Sequence, residues 1–126
     1  MTGLPRPPAH LEAYVRILGV EGAIAFLLRF GGAELYLRRS GDVAPLLAET
    51  VGLEAAAALG QAADRLPRRV PTGKPWIARV WRAQGLPVAE IARRLHVSDV
   101  AVRGWLRRAG AGHGARIADP RQLPLL

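Results

Sequence analysis

Five arginines and one serine, spaced for two consecutive helices, are the residues of this chain best suited to do chemistry. The stretch 86–108 reads LPVAEIARRLHVSDVAVRGWLRR. Ser98, Asp99, Ala101 and Arg103 stand at the start of its second half, Arg107 and Arg108 at the end, and Arg93 and Arg94 one turn before the middle. A guanidinium is a planar fork of donors that fits phosphate oxygens or the O6 and N7 acceptors of guanine. The chemistry implied is therefore recognition of a polyanion rather than bond-making. Arg103 is the candidate for a bidentate guanine contact, and Ala101 and Val100 offer methyl contacts to thymine. Asp99 could accept from a cytosine amino group, though favouring the positive end of a helix is its simpler role. Arg93, Arg94, Arg107 and Arg108 would hold phosphates and set register, with Arg93 and Arg94 equally readable as solvated surface.

These side chains need two short helices and a tight turn to position them. Ile91, Ala92 and Leu95 fall on one helical face, and Val102, Trp105 and Leu106 on another. His96-Val97-Ser98 makes the turn, with Val97 as its apolar plug and Ser98 as the N-cap of the second helix. No Glu or Gln follows three residues later, so the cap is single rather than a capping box. Asp99, Val100, Ala101, Arg103, Gly104 and Arg107 are left on the outer side, small and cationic as a helix in a DNA major groove requires. Trp81 and Trp105 read as core residues. The plain alternative is a helical hairpin with a solvated basic face.

Charge supports the first reading. The chain has 126 residues, 18 Lys+Arg against 10 Asp+Glu, and Lys74 as its only lysine. Residues 1–64 carry a net −2, residues 65–75 a net +4 and residues 76–116 a net +6. A basic excess confined to the second half is the footprint of a phosphate-backbone binder. Arg68, Arg69 and Lys74, before the helical pair, could track the backbone or a minor groove.

Enzymatic readings find little support, and none of the expectations calls for a cofactor. Ser40 and Ser98 are the only serines, and Ser98 is explained as a cap. His10, His96 and His113 have no metal-ligand spacing, and Gly31-Gly32 lacks the Lys-Ser/Thr of a phosphate-binding loop. Cysteine is absent, which excludes disulfides and thiolate metal sites. No apolar run approaches the ~20 residues of a membrane span, and the start MTGLPRPPAH is unlike a secretory signal. A soluble, cytoplasmic, nucleoid-associated protein without membrane contact is expected.

The front half carries a weak duplication. Residues 18–26, LGVEGAIAF, align with residues 51–59, VGLEAAAAL, at an offset of 33. Two copies are too few for a solenoid. They suggest a small helical domain with paired helices at 9–18, 21–30, 43–50 and 54–64, Gly19 and Gly52 separating each pair. Gly31-Gly32 would stop the second helix by a left-handed C-cap. Ala33–Leu37, AELYL, alternates as a short strand does. A lone strand leaves an unpaired edge. Pairing with the same strand of a second subunit would hide it, so a homodimer with an intersubunit two-stranded ribbon is expected; pairing with Arg69-Val70 of its own chain is the rival arrangement. The fold class expected is mostly α: a helical dimerisation domain at 1–64 with a short β-strand, a basic connector at 65–75, a helix-turn-helix domain at 76–109 and a flexible tail at 110–126.

Over residues 15–108 the chain resembles the Mor-type transcription activators of Mu-like phages and prophages. The likeness rests on Leu18-Gly19-Val20-Glu21 leading to Phe30-Gly31-Gly32-Ala33-Glu34-Leu35-Tyr36-Leu37, on the second copy ending at Val70-Pro71, and on Ile77–Gln84, Gly85, Val88–Ala92, Val97-Ser98 and Val102. The resemblance implies an N-terminal domain that dimerises partly through a strand, here around Phe30, Leu35, Tyr36 and Leu37. It also implies a helix-turn-helix bound to double-stranded promoter DNA, activation of middle or late promoters, and a contact with host RNA polymerase. Asp64-Arg65 replaces Gly31-Gly32 in the second copy and Pro67 interrupts its strand, so which copy supplies the dimer strand stays open. A small terminase subunit and an interaction module without DNA affinity are the rival readings.

Overall fold

The structure, a computed structural model, describes residues 4–35 and 45–114, with side chains as far as Arg108. Its helices are α1 (Glu12–Phe30), α2 (Pro45–Val51), α3 (Leu53–Gln61), α4 (Lys74–Ala83), α5 (Val88–Leu95) and α6 (Asp99–Gly114). Single 3-10 turns occupy Ala9–Leu11 and Ala63–Arg65. The protein is mostly helical, as expected. Its contacts fall into two units, Arg6–Gly73 and a second from Lys74 onward that also includes the residues up to Pro5.

The first unit is built from α1, α2 and α3. The break expected at Gly19 is present inside α1, where Gly19 has φ 78° and ψ 169°. Gly52, its counterpart in the second copy, has φ 92° and ψ 155° immediately before α3. This region of backbone space is essentially reserved for glycine. The duplication is thus visible as the same kink at the same place in both copies. Leu11, Tyr14, Phe26 and Leu59 form the fully buried centre of the unit, with Leu47, Ala56 and Val70 around them. The Tyr14 and Phe26 rings stack at 5.4 Å, and Phe30 tilts against Phe26 at 5.3 Å. Burial of Tyr14 raises its hydroxyl pKa above the usual 10.

Gly31-Gly32 ends α1 with a left-handed glycine, as the sequence suggests, and the two glycines have different tasks. Gly31 keeps φ −57° and only Gly32 turns left-handed at φ 88°. A Cβ on Gly31 would stand 3.0 Å from Thr72 Cα and 3.1 Å from the Pro71 carbonyl. Glycine is required there for the approach of two backbones. That approach starts a short pairing: the Gly32 amide donates to the Val70 carbonyl (2.7 Å), Val70 to Ala33 (2.9 Å) and Leu35 to Arg68 (2.9 Å).

Of the strand expected at Ala33–Leu37, the described part, residues 33–35, forms an isolated antiparallel bridge between Glu34 and Arg69, and the described residues contain no strand. This corrects the expected intersubunit ribbon: the segment pairs with Arg68–Val70 of its own chain, which lies close enough to satisfy its backbone groups. Pro67 and Pro71 bracket this partner and have no amide hydrogen to extend a ladder, which keeps the contact short. Leu35 is half-buried beside the bridge. Tyr36 and Leu37 lie outside the described residues.

The second unit packs α4, α5 and α6 together. Trp76, Ile77 and Val80 of α4 meet Ile91, Ala92 and Leu95 of α5 and Val102 of α6, none more than 3% exposed. Pro75 is tolerated because it lies in the first turn of α4, where amide hydrogens have no helical partner. The Trp76 indole N–H donates to the Pro5 carbonyl at 3.1 Å, drawing the N-terminal segment onto this unit. α6 runs on to Gly114, beyond Gly110 where the glycine-rich composition suggests a tail. Once a helix is nucleated, each further residue costs little, and Gly lowers that extension without forbidding it. Residues 115–126 lie outside the described residues.

Candidate nucleic-acid interface

The turn between α5 and α6 sets the site. His96 closes α5 in the left-handed conformation, φ 58° and ψ 47°, which is unusual for a side chain of its size. Its conformation lets the Val97 amide donate back to the Ala92 carbonyl at 3.0 Å. Ser98 then caps α6 as expected, its Oγ accepting from the Ala101 amide at 3.1 Å. Replacing Ser98 with alanine should lower the stability of this unit by about 1 kcal/mol, read from chemical unfolding. A cost below a few tenths would mean that water satisfies the free amides equally well.

Beyond the cap, Val102 is fully buried, and Trp105 and Leu106 are half-buried on the same side. Asp99, Val100, Arg103, Arg107 and Arg108 are exposed, and Ala101 is half-buried at the margin. Gly104, expected on the outer side, has little exposed surface because the Arg107 and Arg108 guanidinium groups lie over it. Arg103 Nη1 stands 3.9 Å from an Asp99 carboxylate oxygen. Both side chains are more than half exposed, so this attraction is weak and Arg103 can be drawn to a ligand. Arg107 and Arg108 make no ion pair among the described residues.

Arg93 and Arg94 are differently placed. Arg93 pairs with one oxygen of Glu90, and Arg94 Nε donates to the other at 2.9 Å. Arg94 also lies over the Trp81 ring, its Cζ 5.5 Å from the centroid, a cation–π contact. Trp81 is half-buried and serves as this platform rather than as core. The Arg94 hydrogen bond, followed by the charges of both arginines, holds the Glu90 carboxyl below its ordinary 4.5. A carboxyl depressed in the folded state stabilises it above the unfolded pKa and ceases to as pH falls through the folded one. Acid titration of wild type and Glu90→Gln should therefore converge below pH 4.5 and separate above it. Parallel curves throughout would mean that the pair is not formed in solution.

The structure thus brings Ser98, Asp99, Ala101, Arg103, Arg107 and Arg108 together along α6, with Arg93 and Arg94 on the helix before it. Lys74 opens α4 in the same unit and is half-buried. Arg69 belongs to the other unit, where its guanidinium donates to the Gly32 carbonyl at 2.8 Å and approaches Glu34 at 3.5 Å. Both partners of this ion pair are largely exposed, so it is weak, and the Gly32 carbonyl is the firmer tie. Two features escaped the sequence reading. Arg82 donates to the Leu86 carbonyl at 3.0 Å and closes the α4–α5 turn. Arg79 is half-buried, and its pKa is lowered by desolvation. Glu90 at i with Arg93 and Arg94 at i+3 and i+4 was the available signal for the ion-pair cluster.

Among the described residues no group of His, Cys, Asp or Glu could hold a metal ion, and no helix is long and apolar enough to cross a membrane. No family model, curated protein or solved structure matches the chain.

Proposed function

We propose that this protein is a sequence-specific regulator of transcription that binds double-stranded DNA through α6 and acts as a homodimer. The observation that carries the reading is α6 itself: a serine-capped helix that buries Val102 and presents Arg103, Arg107 and Arg108 outward. Arg103 reads a base edge, while Arg107 and Arg108 hold phosphates. Arg93 and Arg94 contribute less to phosphate binding because they share the charge of Glu90. Lys74 adds a cation from the start of α4, and Arg69 is secondary because it is tied to the Gly32 carbonyl.

Salt dependence tests this. Binding to promoter DNA of the same genome should be tighter than to random DNA of equal length and should fall steeply with salt. Weak binding that is equal on both would reduce the unit to an interaction scaffold.

Self-association rests on the first unit. Leu28, Leu46 and Leu53 are 47%, 49% and 64% exposed, and Val15, Ile17, Leu18 and Val20 leave further faces of α1 only half-covered. A helix apolar nearly all round needs more cover than one small unit supplies. The segment from Phe30 through Leu35, Tyr36 and Leu37 would join that interface. A scattering mass of two chains at micromolar concentration is expected. One chain would refute the dimer, and a ring-sized mass would favour the packaging-accessory reading. The resemblance to Mor-type activators supports a role at phage or prophage middle or late promoters, with host RNA polymerase as the further partner.

A further inference from the structure

α6 turns a narrow face away from buried Val102, and at 100° per residue Val100, Arg103, Gly104 and Arg107 share it. Val100 is 69% exposed, more than any other large apolar side chain among the described residues. Its surroundings keep it bare. The residue four positions on is Gly104, which has no side chain to lay across it. The residue three positions on is Arg103, whose guanidinium lies toward Asp99. A Cβ at position 104 would stand 3.3 Å from Arg108 Nη1 and 3.8 Å from Arg107 Nη2, so cationic groups border the same gap. The result is an apolar knob between guanidinium groups.

A single exposed valine is ordinary on a protein surface. This one sits in the first turn of a helix, where a β-branched residue also has mediocre propensity, and it is flanked by groups that seek phosphate or guanine. Phosphate offers nothing to a valine. The one apolar group displayed in the major groove is the 5-methyl of thymine. Ala101 is less suited, being half-buried at the edge of the face.

We propose that Val100 is a specificity-determining residue that packs on the methyl group of a thymine, beside a guanine read by Arg103. The assignment rests on the DNA-binding reading above. The test begins with the full chain selecting duplexes from a randomised pool. Each thymine of the best-bound duplex is then replaced singly by deoxyuridine, which removes only the methyl. Val100→Ala is the comparison variant; its site is exposed and alanine is the better helix former, so folding is retained, as circular dichroism will verify.

One replacement should weaken wild-type binding about fourfold, the worth of one buried methyl at ~0.8 kcal/mol, and leave Val100→Ala unaffected. If a sequence is selected but no replacement matters, or the variant loses as much as the wild type, the proposal fails and the regulator reading stands. If no sequence is selected, both fail.

Discussion

Replacing Trp76 by alanine should cost the second unit about 3–5 kcal/mol, the usual penalty for emptying a buried aromatic site. Trp76 is 1% exposed and is the largest fully buried side chain of the protein. It packs in the same core as Ile77, Val80, Ile91, Leu95 and Val102, which hold α5 and α6 in register. A single small domain has only about 5–15 kcal/mol in total, so the variant should lose a large share of its stability. Urea unfolding followed by circular dichroism measures this directly. Trp105→Ala is the internal comparison: it removes an indole of the same size from a half-buried position and should cost clearly less. Equal losses would mean that the core is not centred on Trp76. Trp76→Phe keeps most of the volume but removes the donor to Pro5, and should cost about 1 kcal/mol through that hydrogen bond.

The second large effect concerns binding and leaves folding intact. Arg103→Ala should weaken binding to the preferred duplex by about 1–3 kcal/mol and relax the choice of base at one position. Arg108→Ala should weaken all sequences alike and reduce the salt slope by about one. Arg93→Ala should change the slope less than Arg108→Ala, since the Arg93 guanidinium already has the Glu90 carboxylate beside it. Binding titrations at several salt concentrations, on preferred and random duplexes, separate these cases. Equal losses on every sequence from Arg103→Ala would remove its reading role and make it another phosphate contact.

Much of the candidate interface is legible in the sequence. Ile91, Ala92, Leu95 and Val102 were placed in the core by spacing alone, and each is nearly or fully buried. Ser98 was identified as a cap from its type and position, and its hydroxyl accepts the Ala101 amide. The Gly19 break and its repetition at Gly52 followed from a duplication of nine residues. These features are local. A helical period, a capping hydroxyl and a glycine at positive φ each act within four or five residues, so the chain encodes them directly.

What the sequence alone left undecided or misplaced depends on residues far apart in the chain. The Trp76 indole finds its acceptor 71 residues away, at Pro5. The segment after α1 pairs with Arg69 of its own chain, 35 residues on from Glu34, and proline limits that pairing to a bridge. Gly31 serves the approach of a backbone at Pro71-Thr72, not the left-handed turn its neighbour makes. The sequence points to Trp81 and Trp105 as core residues, yet both are half-buried; packing makes Trp76 the centre and leaves Trp81 as a platform for Arg94. The division has one physical cause. Backbone propensity and capping are decided within a turn, whereas burial and close approach are decided only when distant segments compete for the same space.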